Sequence, residues 1–244
     1  ASTACASGRL GASAFKYNRS LICRARYAGA KPDASASRID DMNDSTTVAP
    51  KQARPKRGER RLQILQTLAA MLQEPGGDRV TTAALAGRLQ VSEAALYRHF
   101  ASKAQMFEGL IEFIESTIFG LINQITTQHA EDGVRQLRDI VAMLLSFAEK
   151  NPGMTRVLIG DALVTEDGRL QDRINQLIDR LEASLKQAFR VSVAQGRLPQ
   201  DTDVAARAGI ALAYVLGRWL RYAKSGFRRP PGELFEQQAL FLIT

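Results

Sequence analysis

From Leu62 onward, apolar residues return every three or four positions, broken at intervals by polar, Gly or Pro stretches. Leu62, Leu65, Leu68, Ala69 and Leu72 predict a helix from about Glu59 to Glu74, stopped by PGGD. A second helix is expected at Thr81–Leu89, entered through two threonines that can cap its free N–H groups. Gln90 and Val91 make a tight turn, and Ser92 caps a third helix with Glu93 just inside it. Longer helices follow at Lys103–Gln128, Gly133–Lys150 (closed by NPG), Leu170–Val193 and Val204–Lys224, the last capped by Asp203. Alternation with period two is nowhere sustained, so the chain reads as all-α.

Three regions follow from this pattern. Residues 1–50 are rich in Ala, Ser and Gly, lack helical periodicity, and have no acidic residue before Asp33. They read as a disordered extension, although an Arg- and Ser-rich, acid-poor start can also mimic a transit peptide. Met42 opens MNDSTTVAP, an ordinary polar start, so translation is expected to begin there. Residues 51–103 hold a basic arm, KQARPKRGERR, and the short helices; residues 104–244 hold the long ones. The arm is expected to follow phosphates or a minor groove, or else to be a solvated charge run.

Charge sharpens the division. Of a formal net charge of +8 over 244 residues, residues 51–103 contribute ten Lys/Arg against four Asp/Glu. Residues 104–244 are nearly balanced, with 16 against 17. The excess concentrates polyanions around the short helices. Both cysteines, Cys5 and Cys23, lie in the extension, which indicates a reducing compartment, and no apolar run is long enough to cross a bilayer. A cytoplasmic protein is expected. Two histidines, no phosphate-cradling glycine loop and no metal-ligand cluster argue against an enzyme, and no cofactor is expected.

The segment VSEAALYRHFASK carries the chemistry. Leu96 and Phe100 anchor one helical side in a core, leaving Glu93, Ala94, Ala95, Tyr97, Arg98 and His99 on others. Small residues beside planar donors suit a groove better than a catalytic cleft. Two short helices joined this tightly form a helix-turn-helix, whose second helix enters the major groove. Glu93 can accept from a cytosine amino group, and the alanine methyls can touch thymine methyls. Arg98 reads a guanine edge or a phosphate. Taken singly, Tyr97 is also readable as partly core and His99 as an ordinary surface residue.

The run LYRHF-x-SK, followed by Met106 and Phe107, resembles the DNA-binding domain of the TetR family. VSEAALYRHF, MFEGLIEFIE, KNPGMTRVLIGDAL and RLQDRINQLIDRLEASL extend the likeness, over most of residues 59–190, to the family's nucleoid occlusion branch. The resemblance implies that Thr81 and Thr82 bond phosphates, with Ser92, Glu93, Ala94 and Ala95 opening the reading helix. It also places Tyr97, His99 and Lys103 at or beside phosphates. Gln90 departs from the glycine usual at the turn; a left-handed backbone there costs about 1 kcal/mol.

For the larger half, the resemblance implies a homodimer on palindromic double-stranded DNA and engagement of the cell-division GTPase FtsZ. The dimer would be built from two helices per subunit, with Leu170–Val193 and Val204–Lys224 as candidates. The first has a strong apolar stripe, and the second a small-residue face of Ala206, Gly209, Ile210, Ala213, Gly217 and Leu220. Burial of either within one subunit is the alternative. Phe113 and Phe119 fall about 120° to either side of the main stripe of their helix, so each meets a second helix or remains open to a partner. The resemblance favours Phe113, with Met143, Lys150 and Asn151, as FtsZ-facing residues. Met143, Lys150, Ser146 and Leu121 nevertheless differ from the residues usual there. The competing readings are a repressor released by a small-molecule ligand and an architectural DNA protein without sequence preference.

Overall fold

A computed structural model describes residues 57–74, 80–164 and 166–243, all within one unit spanning Pro55–Thr244. The expected extension, the start at Met42 and the arm up to Lys56 lie outside the described residues. Every described regular element is helical. The head consists of α1 (Arg57–Gln73), α2 (Thr82–Arg88) and α3 (Glu93–Tyr97). The body contains α4 (Lys103–Gln128), α5 (Gly133–Lys150), α6 (Pro152–Leu158), a 3-10 turn at Asp161–Leu163, α7 (Gly168–Ala194), α8 (Val204–Lys224) and α9 (Phe235–Ile243).

Side-chain caps explain most of the boundaries. The hydroxyls of Thr81, Ser92 and Ser102 accept the N–H groups of Ala84, Ala95 and Gln105 at 3.2, 3.3 and 3.1 Å, opening α2, α3 and α4. Carboxylates of Asp132, Asp167 and Asp203 do the same for α5, α7 and α8. Each cap satisfies an N–H group that a helix start leaves without an internal partner.

Two helices were not expected. NPG does end α5, but Pro152 is also the first residue of α6, where its missing N–H costs nothing and its φ is already helical. Asn151 joins the two, its Nδ2 donating to the Phe147 carbonyl at 2.8 Å. Buried Thr155 donates to the carbonyls of Ala148 and Asn151, both at 3.0 Å. The other unexpected helix, α9, packs on α5 and α8.

The head is fixed to the body through α6, which lies on α1. Gly153 permits this approach: a Cβ there would fall 1.9 Å from the Ala69 carbonyl oxygen. Arg156 donates to the Leu72 carbonyl at 3.2 Å and pairs with Asp161 at 2.9 Å. Inside the body, Ile111, Ile114, Leu144, Phe189 and Trp219 are completely buried between α4, α5, α7 and α8. The Trp219 indole N–H reaches the Leu144 carbonyl at 3.1 Å.

One expectation needs correction. The apolar stripe of α7, expected as one half of a seam between subunits, is spent inside the subunit. Leu170, Ile174, Leu177, Leu181 and Leu185 are all buried, beneath α5 and α8, and Ile178, the stripe's other member, is half-buried. Periodicity shows that a stripe will be covered without showing by which chain.

Candidate nucleic-acid interface

The turn between α2 and α3 is closed by backbone bonds from Gln90 to Gly87 and from Val91 to Ala86, at 3.1 and 3.0 Å. Gln90 has φ 54, the left-handed conformation that the glycine departure raised. Replacing Gln90 with Gly relieves about 1 kcal/mol of strain, partly offset by the freer unfolded chain. A thermal melt is expected to show a Tm rise of about 2 °C.

Beneath the turn, Leu85, Leu96 and Phe100 are buried, with Leu89 and Val91 half-buried against them. The Arg61 guanidinium lies 4.2 Å from the Phe100 ring centroid and donates to the His99 carbonyl at 3.1 Å. These contacts fix the roll of α3 and therefore which side of it meets solvent. On that outer side Ser92, Glu93 and Ala94 are exposed, and Ala95 is half-exposed. Tyr97 is 44% exposed, Arg98 is exposed and His99 half-buried.

At the start of α2, Thr81 is exposed and Thr82 half-buried. The Thr81 hydroxyl oxygen caps the helix as an acceptor, which leaves its O–H available to donate. Thr82 donates its hydroxyl to Glu93 at 2.7 Å, tying the first turns of α2 and α3 together.

Lys103 presents a different picture. Its ammonium is held 2.5 Å from Glu166, which precedes α7, and lies 5.8 Å from the Phe107 ring centroid. The side chains are only 32% and 10% exposed. Lys103 also lines a crevice with Leu68, Val80, Thr81, Thr82, Leu85 and Met106. The cation thus stands beside the α2 start but is engaged by the body. Sequence reasoning did not find Glu166, because a partner 63 residues away leaves no mark in local spacing.

On the body, Phe113 and Met143 are half-buried against the core, on α4 and α5, which pack together. Thr117 and Leu121 follow Phe113 along the same side of α4, both half-buried. Lys150 is exposed, although local burial lowers its pKa. Asn151 is engaged as the α5–α6 joint described above. The other off-stripe ring, Phe119, lies under the Arg180 guanidinium, 4.0 Å away. Arg173 and Arg180 of α7 both pair with Glu115 of α4, along an open groove of about 650 Å³. This clamp was also invisible to sequence reasoning.

The small-residue face of α8 is open. Ile210 is 60% and Leu220 48% exposed; Ala206, Ala213 and Gly217 are exposed too, and Gly209 is half-exposed. A Cβ at Gly209 or Gly217 would meet nothing within 4 Å. Among the described residues, no cluster of His, Cys, Asp or Glu could hold a metal ion, and no helix is long and apolar enough to cross a membrane.

A three-helix head with an exposed third helix, α3, set on a helical body, defines a helix-turn-helix DNA-binding protein. Residues 64–110 match the bacterial regulatory proteins of the tetR family, and residues 131–244 match the SlmA-like tetracyclin repressor-like C-terminal domain. The nucleoid occlusion factor SlmA of Alteromonas mediterranea is 49% identical over 183 residues, 75% of this chain and 93% of the relative. That of a Marinomonas species is 48% identical over 75% of this chain and 92% of its own. Among solved structures, a TetR regulator from Haloarcula marismortui aligns with a TM-score of 0.66 at 18% identity, covering 76% of this chain and 97% of its own. The fatty acid degradation regulator FadR of Bacillus halodurans aligns at 0.65 and 16%, covering 78% and 97%. These last two likenesses are of fold alone. The chain belongs to the SlmA group of the TetR family.

Proposed function

We propose that the protein is a nucleoid occlusion factor: a homodimer that binds palindromic chromosomal sites and there engages FtsZ, preventing a septum from closing over DNA. The likeness to SlmA, 49% identity over 183 residues, carries this reading. The Thr81 hydroxyl, the backbone N–H at Thr82 and the Tyr97–His99 run hold phosphates, while Glu93, Ala94 and Ala95 meet base edges; phosphate contacts set register and base contacts set preference. Pairing of the open α8 faces duplicates the reading helix about 34 Å away along the duplex. Phe113, Met143, Lys150 and Asn151 form the rim that FtsZ meets.

Pelleting of FtsZ polymer, with and without bound DNA, tests the division of labour. Phe113→Ala is expected to leave DNA affinity unchanged and to reduce the DNA-dependent loss of polymer severalfold. Thr81→Ala is expected to weaken DNA binding by about tenfold, the value of one charge-assisted contact. Wild-type protein that leaves FtsZ polymer untouched at saturating DNA would refute the reading.

Lys103 gives DNA a route to the body. A phosphate at the α2 start competes with Glu166 for this one ammonium, so binding frees the segment that leads into α7. Ligand-driven change requires such a difference in contacts between the two states. Glu166→Gln removes the competitor and is expected to tighten DNA binding about fivefold by anisotropy, an increment typical of coupling. Unchanged affinity would separate Lys103 from the phosphate site.

A further inference from the structure

Charge on the body is sorted rather than spread. Residues 218–232 contain five Lys/Arg and no Asp/Glu, whereas the rest of residues 104–244 holds 11 against 17. The basic stretch comprises the last turns of α8 and the loop to α9. That loop is a built structure: Gly226 and Phe227 are both left-handed, at φ 64 and 62. A phenylalanine in that conformation persists only where its surroundings impose it.

Three contacts do so. The Phe227 ring meets Tyr222 edge-on at 5.2 Å. The Ser225 hydroxyl oxygen accepts the backbone N–H groups of Arg228 and Arg229 at 3.1 and 3.0 Å. Arg218 donates to the carbonyls of Pro230, Pro231 and Glu233 at 3.1, 2.6 and 2.7 Å. The outcome is that Arg221, Arg228 and Arg229 are all exposed. The side chains of Arg221 and Arg229 have no hydrogen-bond or ion-pair partner among the described residues.

The loop also lies at a defined end of the body. Lys224 pairs with Asp161 at 3.0 Å, Asp161 with Arg156, and Arg156 reaches α1 at Leu72. This is the end at which the head joins the body, so the loop lies on the head side of the body. We propose that the loop is a second, sequence-independent DNA contact, in which Arg221 and Arg229 take phosphates outside the base pairs read by α3. Guanidinium groups match phosphate geometry, and unpaired ones need surrender no partner to bind. The proposal rests on α3 being the reading helix, and the test separates the two.

The full-length double variant Arg221→Gln/Arg229→Gln is titrated with a long duplex and with one trimmed to the bound site. Affinity for the long duplex is expected to fall at least tenfold at physiological salt, and the logarithmic salt slope to drop by about 3.6, for two phosphates from each subunit of the dimer. The trimmed duplex is bound as before. Arg221→Lys/Arg229→Lys restores the slope, which excludes a folding defect. Thr81→Ala weakens both duplexes alike; if it weakens neither, the α2–α3 interface fails instead. An unchanged slope on the long duplex overturns the proposal. So does loss of retention on immobilised polyglutamate with DNA binding intact, which would mark a site for an acidic protein.

Discussion

Ala94→Glu is expected to reduce binding to the specific site about a thousandfold, down to the non-specific level, while leaving the thermal melt unchanged. Ala94 is exposed on the second residue of α3, so the new carboxylate can extend into solvent and folding is expected to be spared. In the proposed complex it would stand where base edges and flanking phosphates lie, occupy the space a methyl had left, and repel the backbone charge. Specific sites are typically bound at least a thousandfold more tightly than random ones, and this increment is what base contacts supply. Residual binding through Thr81, Tyr97 and Arg98 should keep a steep salt dependence. Retained sequence preference in an anisotropy titration would show that another surface reads the bases.

Gly217→Leu tests pairing. A side chain at Gly217 enters open space in the isolated subunit, and leucine is the better helix former by about 1 kcal/mol. The subunit should therefore stay folded, with helical circular dichroism retained. Against a second α8, however, the added isobutyl group wedges apart helices whose close approach depends on Gly209, Ala213 and Gly217. Under the proposed pairing, analytical ultracentrifugation is expected to find a dimer for the wild type and a single chain for the variant. DNA affinity should then fall about a hundredfold, because the second head no longer binds as part of the same molecule. A variant that stays dimeric would assign pairing to a different face.

Why some of this was legible in sequence is instructive. α4, α5 and α8 occupy the ranges expected from periodicity, since Ser102, Asp132 and Asp203 are strong local caps. The turn anomaly at Gln90 was also readable, because handedness at that position is a property of two or three residues. Pro152 misled because proline breaks a helix interior and favours a helix start, and NPG serves both purposes at once. For α9, FEQQALFLI carries apolar residues on several sides, so no single stripe marks it. Long-range partners were hidden altogether. Nothing near Lys103 or Phe119 in the chain announces Glu166 or Arg180; folding of α7 beside α4 brings them in. The α7 stripe failed for a related reason, since one subunit and two subunits can cover the same pattern of leucines.

The most direct measurement is selection of bound duplexes from a random pool by the wild-type protein at physiological salt. The account predicts enrichment of a palindrome whose half-sites are centred about one helical turn, roughly 34 Å, apart, and loss of that enrichment with Ala94→Glu. A pool that emerges unenriched, or a single asymmetric site, would contradict it.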